Sequence, residues 1–166
     1  VEILGVGSVH GNVPAHAAAN NALRLLELVN DTETPVVVGA EEPLAQPLQL
    51  GQPSDEFGAL AGAPRPQPPE ASAADLIVQT ARAMPGEVSL LALGPLTNVA
   101  LALTKEPDLP HLLGRVVMMG GAITGAGNAT AFAESNIAHD PEAAERVITA
   151  GFELTMVGLD VTRSAT

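Results

Sequence analysis

EILGVGSV (residues 2–9), HGNVPAHAAANNALRLLELVN (10–30) and PVVVG (35–39) together decide the fold. Glu2 to Val9 is short and nearly continuously apolar, the pattern of a parallel strand buried on both faces. His10-Gly11-Asn12 breaks that run, and Pro14 suits the start of a helix, where its missing N–H is no loss. Between Ala15 and Asn30, Ala22, Leu25, Leu26 and Val29 recur at i, i+3, i+4 and i+7, which makes one apolar helical face. Pro35 to Gly39 reads as a second strand. The three pieces form a βαβ unit, which crosses over right-handedly.

Outward from this unit the alternation continues. Ser72 with Asp75 reads as a capping box opening a helix to Met84, which Pro85-Gly86 ends. Its inward residues would be Leu76, Ile77, Ala81 and Met84. Val88 to Leu93 is a further buried strand, followed by Gly94-Pro-Leu-Thr-Asn98 and a short helix to about Thr104. Arg115 to Met119 is a strand running into Gly120-Gly121. Asp140-Pro141 supplies an N-cap and an N1 proline for a helix that stops before Gly151. That helix would turn Ala143, Ala144, Val147 and Ile148 inward. Leu154 to Leu159 is the last strand, with Asp160 near its end. Strands alternating with helices predict an α/β fold with a mainly parallel sheet flanked by helices.

Residues 40–70, rich in Pro, Gly and Gln and without periodicity, read as a long surface excursion. The stretch 1–166 is expected to be part of one domain. It begins at Val1 without an initiator Met and stops just after a strand-like run, so both ends are expected to be cut.

Hydrophobic residues make up 46% of the 166 residues, enough for a packed core, which with only 2% aromatics must rest on Ala, Val, Leu and Ile. The net charge of −12 repels phosphate backbones and anionic membranes and argues against nucleic-acid binding. The same acidity also serves solubility. No uninterrupted apolar stretch reaches the roughly 18 residues needed to span a bilayer. Without Cys there is neither disulfide nor thiolate chemistry.

In a sheet of this kind ligands bind beyond the carboxyl ends of the strands. Those ends carry His10-Gly11-Asn12, Gly94 to Asn98, Gly120-Gly121 through Asn136, and Asp160. The segments are rich in Gly, Asn, Thr and acid and nearly devoid of Lys and Arg, which suits a neutral polyhydroxyl ligand such as a sugar. Asn128, Glu134 and Asn136 can both donate to and accept from adjacent hydroxyls, as a ribose diol requires. The plainer alternative is that Asn128 sits in a turn and Glu134 is solvated. Among the histidines, His16 reads as surface, His111 as loop packing, and His139 as the neighbour of a helix-capping Asp140. His10, at a strand exit, approaches the site without being catalytic.

Val9-His10-Gly11-Asn12-Val13 with Asn21-Ala-Leu-Arg-Leu-Leu26 resembles a strand–helix unit of the inosine-uridine preferring nucleoside hydrolases. Gly94-Pro-Leu-Thr-Asn98 resembles their central loop. Met118 to Gly121, Gly127-Asn128, Ala133 to Ile137 and Asp140 to Ala144 resemble their ribose-binding segment, and Leu154 to Thr162 the strand that follows. These matches run in order over nearly the whole chain. The resemblance implies hydrolysis of the N-glycosidic bond of ribonucleosides, in nucleoside salvage, through an oxocarbenium-like transition state. It implies a bound Ca²⁺ that holds the ribose diol and activates a water, with the Thr97 backbone carbonyl as a ligand. It also implies that Asn12, Asn128, Glu134 and Asn136 bind ribose and that Met119 lines the sugar pocket. A small-molecule ribonucleoside is the implied partner, in a cytoplasmic homo-oligomer (a dimer or tetramer when complete).

The family's aspartate cluster, DxDxxxDD, which would supply the general base and most Ca²⁺ ligands, has no counterpart from Val1 onward. A late His-Asp pair has none before Thr166. Ser54-Asp55-Glu56-Phe57-Gly58 stands where the family often has His-Gly-x-Asp-Gly. These 166 residues alone are therefore expected to be inactive. A non-catalytic sugar-binding or scaffold protein of the same fold is the alternative; an aspartate cluster encoded upstream would favour the enzyme. A dinucleotide-binding module is the weaker rival, because Gly5 and Gly7 lie inside the strand and Gly11 is off the required spacing.

Overall fold

The computed structural model describes residues 1–51 and 71–165, and every strand pairing in it is parallel. β1 (Val6–Gly7) pairs with β2 (Val36–Val37). β3 (Ser89–Ala92), β4 (Arg115–Met119) and β5 (Leu154–Val157) form a second sheet in that order. The expected α/β architecture is present, but the described strands divide into two sheets with no ladder between them. The predicted strand 2–9 shrinks to Val6–Gly7, and Ile3 is 52% exposed. β1 is bonded along its β2 edge only, with Val6 N–H donating to Pro35 O and Ser8 N–H to Val37 O, so residues before it lack cover. Likewise β3 ends its sheet and exposes Leu91 and Leu93 rather than burying both faces.

α1 (Ala15–Leu28) starts directly after Pro14. It has no cap of its own; Glu41 accepts from the Ala15 and His16 amides at 3.1 and 3.3 Å, placing a carboxylate at the helix N-terminus. Its buried residues are Ala15, Ala19, Leu23 and Leu26, the last three packing on Val36, while Leu25 and Val29 are exposed. The ALRLLEL segment carries two overlapping apolar stripes, and contact with β2 selects the one through Leu23.

α2 (Ala73–Ala83) has both halves of the expected capping box. It buries Ala73, Ala74, Val78 and Ala81, so Leu76 and Met84 are displaced from the predicted inner face. Small residues let α2 approach β1 closely: a Cβ built on Gly7 would lie 2.7 Å from that of Ala73. α3 (Thr97–Lys105), α4 (Leu109–Leu112) and β4 complete one core with α2, around Val78, Ala102, Leu109, Leu113 and Val116. α6 (Pro141–Ile148) closes a second core through Ala143, Ala144 and Val147 on Leu96, Val99 and Met118. Ile148, expected inward, is 44% exposed because the helix ends there. α5 (Ser135–His139) and α4, which contains His111, are short helices that the periodicity does not reveal. Asp160 lies near the end of β5 as expected, in the short helix α7 (Leu159–Thr162) that follows it.

Residues 40–51 hold neither helix nor strand, in keeping with the start of the predicted excursion. They are pinned by Leu44 N–H to Asp140, Gln46 Nε2 to Ala138 O, and Gly51 N–H to Gly11 O. The rest of the excursion, including Asp55 and Glu56, lies outside the described residues.

Lys105 Nζ reaches Asp75 at 2.6 Å and joins α3 to the α2 cap. The Lys105 ammonium, then the Ser72 hydroxyl and amide, pull the Asp75 pKa from 3.8 to about 2. A carboxyl depressed in the folded state stabilises above its unfolded pKa and loses that contribution as pH falls through the folded one. The melting temperature of Asp75→Asn should therefore lie below wild type by a constant interval above pH 3.8, with the curves converging as pH falls toward about 2. An interval independent of pH would remove the ion pair as its cause.

Candidate active site

Side chains at the start of α3 join the two sheets. Asn98 Nδ2 donates to Ser8 O at 2.7 Å, while its Oδ1 accepts from Ala40 N–H at 2.8 Å. Gly39 is required at this seam, since a Cβ there would overlap the Ser8 carbonyl oxygen and the Asn98 amide. Beside it, Thr97 Oγ1 donates to Asp140 Oδ2 at 2.6 Å and lies 3.0 Å from His10 Nε2. Asp140 Oδ2 also accepts from Leu44 N–H, and Oδ1 accepts from Ala143 N–H, capping α6 as the sequence predicts. His10, Thr97 and Asp140 are completely buried. Burial lowers the His10 pKa, opposed by the charge of Asp140. Its Nδ1 has no partner among the described residues, and a buried polar atom left unpaired costs about 1–3 kcal/mol.

A cavity of about 640 Å³ opens between β1, α1 and the Leu93–Pro95 turn. Its walls include His10, Asn12, Asn21, Arg24, Leu25 and Asn136. Arg24 adds a cation that the strand-end segments do not contain, and its Nε is buried without a partner among the described residues. Of the predicted ribose-binding residues, the structure brings Asn12 and Asn136 to this one cavity.

The others gather at the exit of β4. Asn136 Nδ2 donates to Met119 O at 2.9 Å and to Leu93 O at 3.2 Å, bridging the ends of two strands. Glu134 is 2% exposed, and its Oε2 accepts from Gly121 and Ile137 N–H at 3.1 and 3.2 Å; it caps α5 and is not a solvated acid. Asn128 is exposed and accepts from Ser135 N–H at 2.8 Å, one residue from Glu134. The segment leading from Gly121 to Asn128 is held from α7 and the residue after it. Asp160 accepts from Ile123 and Thr124 amides and from the Thr124 hydroxyl, and Arg163 Nη2 donates to Gly127 O at 2.9 Å. These bonds, the Ile123 amide first, hold the Asp160 pKa at about 2.

Thr97 opens α3 and is not at the free end of a strand. Among the described residues no three His, Asp or Glu side chains come together as a metal site. Asp140 is the acid nearest Thr97 in the bonding pattern, and both of its oxygens are engaged. The described residues therefore do not compose a Ca²⁺ site by themselves. Local sequence predicts Asp140 as a helix cap and His10 near the site without a catalytic role; the structure adds the Thr97 link between them. The signal for that link was a histidine and an aspartate flanking apolar runs, and only the fold shows that Thr97 lies between them.

This arrangement sets two amides on a cavity at the strand ends, with the buried Glu134 carboxylate at the neighbouring β4 exit. The family model described as inosine-uridine preferring nucleoside hydrolase matches residues 1–166, and the chain belongs to that family. It is 41% identical to a probable uridine nucleosidase 1 of Oryza sativa subsp. japonica, over 98% of this chain and 52% of that protein. It is 42% identical to the pyrimidine-specific ribonucleoside hydrolase RihA of Shewanella oneidensis, again over 98% and 52%. Among solved structures, a plant nucleoside hydrolase superposes with a TM-score of 0.87 at 32% identity, covering 98% of this chain and 53% of its own. A purine-preferring ribonucleoside hydrolase from Gardnerella vaginalis gives 0.88 at 30% identity, covering 96% and 53%. The chain spans about half the length of the relatives it matches. No helix among the described residues is long and apolar enough to cross a membrane.

Proposed function

We propose that the protein hydrolyses the N-glycosidic bond of ribonucleosides to free base and ribose. The observation that carries this reading is the meeting of Asn12 and Asn136 at one cavity, next to Glu134 and Met119 at the β4 exit. Asn136 uses its Nδ2 on Met119 and Leu93 carbonyls, which leaves Oδ1 to accept from a sugar hydroxyl. Glu134, with Oε2 fixed by two amides, offers Oε1 to a neighbouring hydroxyl and negative charge to a sugar ring becoming cationic. Asn128, anchored on Ser135, completes the diol contacts from the other side.

Ca²⁺, when bound, would hold the diol and acidify a water. The Thr97 carbonyl is this chain's proposed share of that site, and its carboxylates and the general base are proposed to come from elsewhere in the complete gene product. Salvage, cytoplasmic residence and homo-oligomeric assembly are further proposals carried by the family resemblance. A second reading, a sugar-binding protein of the same fold without turnover, stands because a fold does not by itself fix function.

The test is to assay the complete gene product on uridine, inosine, 2′-deoxyuridine and uridine 5′-monophosphate. A site built around the diol should prefer uridine to 2′-deoxyuridine by on the order of 10⁴ in kcat/KM, because the missing hydroxyl leaves buried partners unpaired. The monophosphate should be a poor substrate in so acidic a protein. Equal turnover of uridine and 2′-deoxyuridine would remove the diol clamp, and binding without turnover would favour the second reading.

A further inference from the structure

The Thr97 hydroxyl gives the buried chain a direction. Asp140 Oδ2 is an acceptor, so at 2.6 Å the one hydroxyl proton of Thr97 goes to it. Toward His10 the Thr97 oxygen is left only as an acceptor, and the 3.0 Å contact requires a proton on Nε2. In the neutral ring Nδ1 is then a bare lone pair, which agrees with its lack of a donor partner among the described residues. The backbone around the ring is fixed at the same point: His10 N–H donates to Ala40 O, and Gly11 O accepts from Gly51 N–H. Asn12 follows immediately, on the cavity wall.

We propose that His10 is a positioning residue, held as the Nε2–H tautomer by Thr97 and Asp140, which sets the Gly11-Asn12 turn against the start of α3. Through Asp140 the same tie reaches the cap of α6 and the Leu44 amide, so one buried chain registers four segments beside the cavity. The kinetic consequence rests on the reading of Asn12 as a ribose ligand; the tautomer does not.

The tautomer is read from long-range ¹H–¹⁵N correlation spectra of the complete gene product labelled at its histidines. The His10 signals are assigned by their loss in His10→Gln. Expected are a protonated Nε2 and an unprotonated Nδ1, kept in Thr97→Ser and replaced by a mixture in Thr97→Val. A ring protonated at Nδ1 in the wild type overturns the proposal. Glutamine places an N–H donor where Nε2 stands, whereas asparagine is too short to reach Thr97. His10→Gln should therefore keep kcat/KM for uridine within about threefold of wild type, and His10→Asn should lose about tenfold or more, mainly in KM. A glutamine variant as impaired as the asparagine variant also overturns the proposal. Failure of the hydrolase reading would show differently, as a wild type that turns over no nucleoside while its His10 spectrum stands as expected.

Discussion

Glu134→Gln in the complete gene product should lower kcat/KM for uridine by roughly 10²–10³, the scale for losing one preorganised electrostatic contact to a transition state, with little change in melting temperature. The carboxylate is buried, and Oε2 takes two backbone amides, from Gly121 and Ile137. A glutamine keeps a carbonyl oxygen for both, so the cap of α5 and the Gly121 turn survive. What it removes is the negative charge proposed to face the ribose. Glu134→Ala is the contrasting variant. It strips the cap as well, costing about 0.5–2 kcal/mol, and strands two amides, so its thermal stability should fall together with its rate. The pair separates electrostatics from architecture. A glutamine variant with wild-type kinetics would take the carboxylate out of the chemistry and leave it a helix cap.

The second large effect concerns the 166 residues made alone. They should bind Ca²⁺ no more tightly than about 1 mM, and hydrolyse no uridine or inosine with or without it, since a Ca²⁺ site wants roughly six to eight oxygens with several carboxylates. Among the described residues no such group exists, and Asp140 is already engaged by Thr97, Leu44 and Ala143. Titration calorimetry with Ca²⁺ and a product assay on the chain and on the complete gene product would decide the matter. Tight binding would point to acids outside the described residues, with Asp55 and Glu56 the first to be substituted. Turnover near that of the complete gene product would mean that the general base lies between Val1 and Thr166.

Where a single physical signal controlled the outcome, the sequence was legible. The capping box at Ser72, the Asp140-Pro141 helix start and the strand at Arg115–Met119 each follow from local chemistry and appear as read. The faces of α1 and α2 were less legible, because in ALRLLEL and AADLIVQTARA several stripes satisfy the helical period and only a partner chooses. Strand cover depends on neighbours too; Leu91 and Leu93 are as apolar as Val116 and Met118 yet lie exposed at a sheet end. For the site, the strand-end rule with the family motifs led to Asn12, Glu134 and Asn136. The buried His10–Thr97–Asp140 chain was beyond that reading, since its members stand 87 and 43 residues apart and none looks unusual alone.

The seam between the sheets also bears on how the molecule assembles. Its bonds join residues 90, 87, 58 and 96 positions apart, through Asn98–Ser8, Thr97–His10, Asn98–Ala40 and Leu44–Asp140. Each needs a long loop to be closed before it contributes anything, and closure entropy grows with that length. The β1–α1–β2 crossover and the β3–α3–β4 crossover rest on shorter-range contacts and can form first, each on its own. Docking of the two is then expected late in the folding of these residues, with the polar joint that organises the cavity becoming native after either crossover.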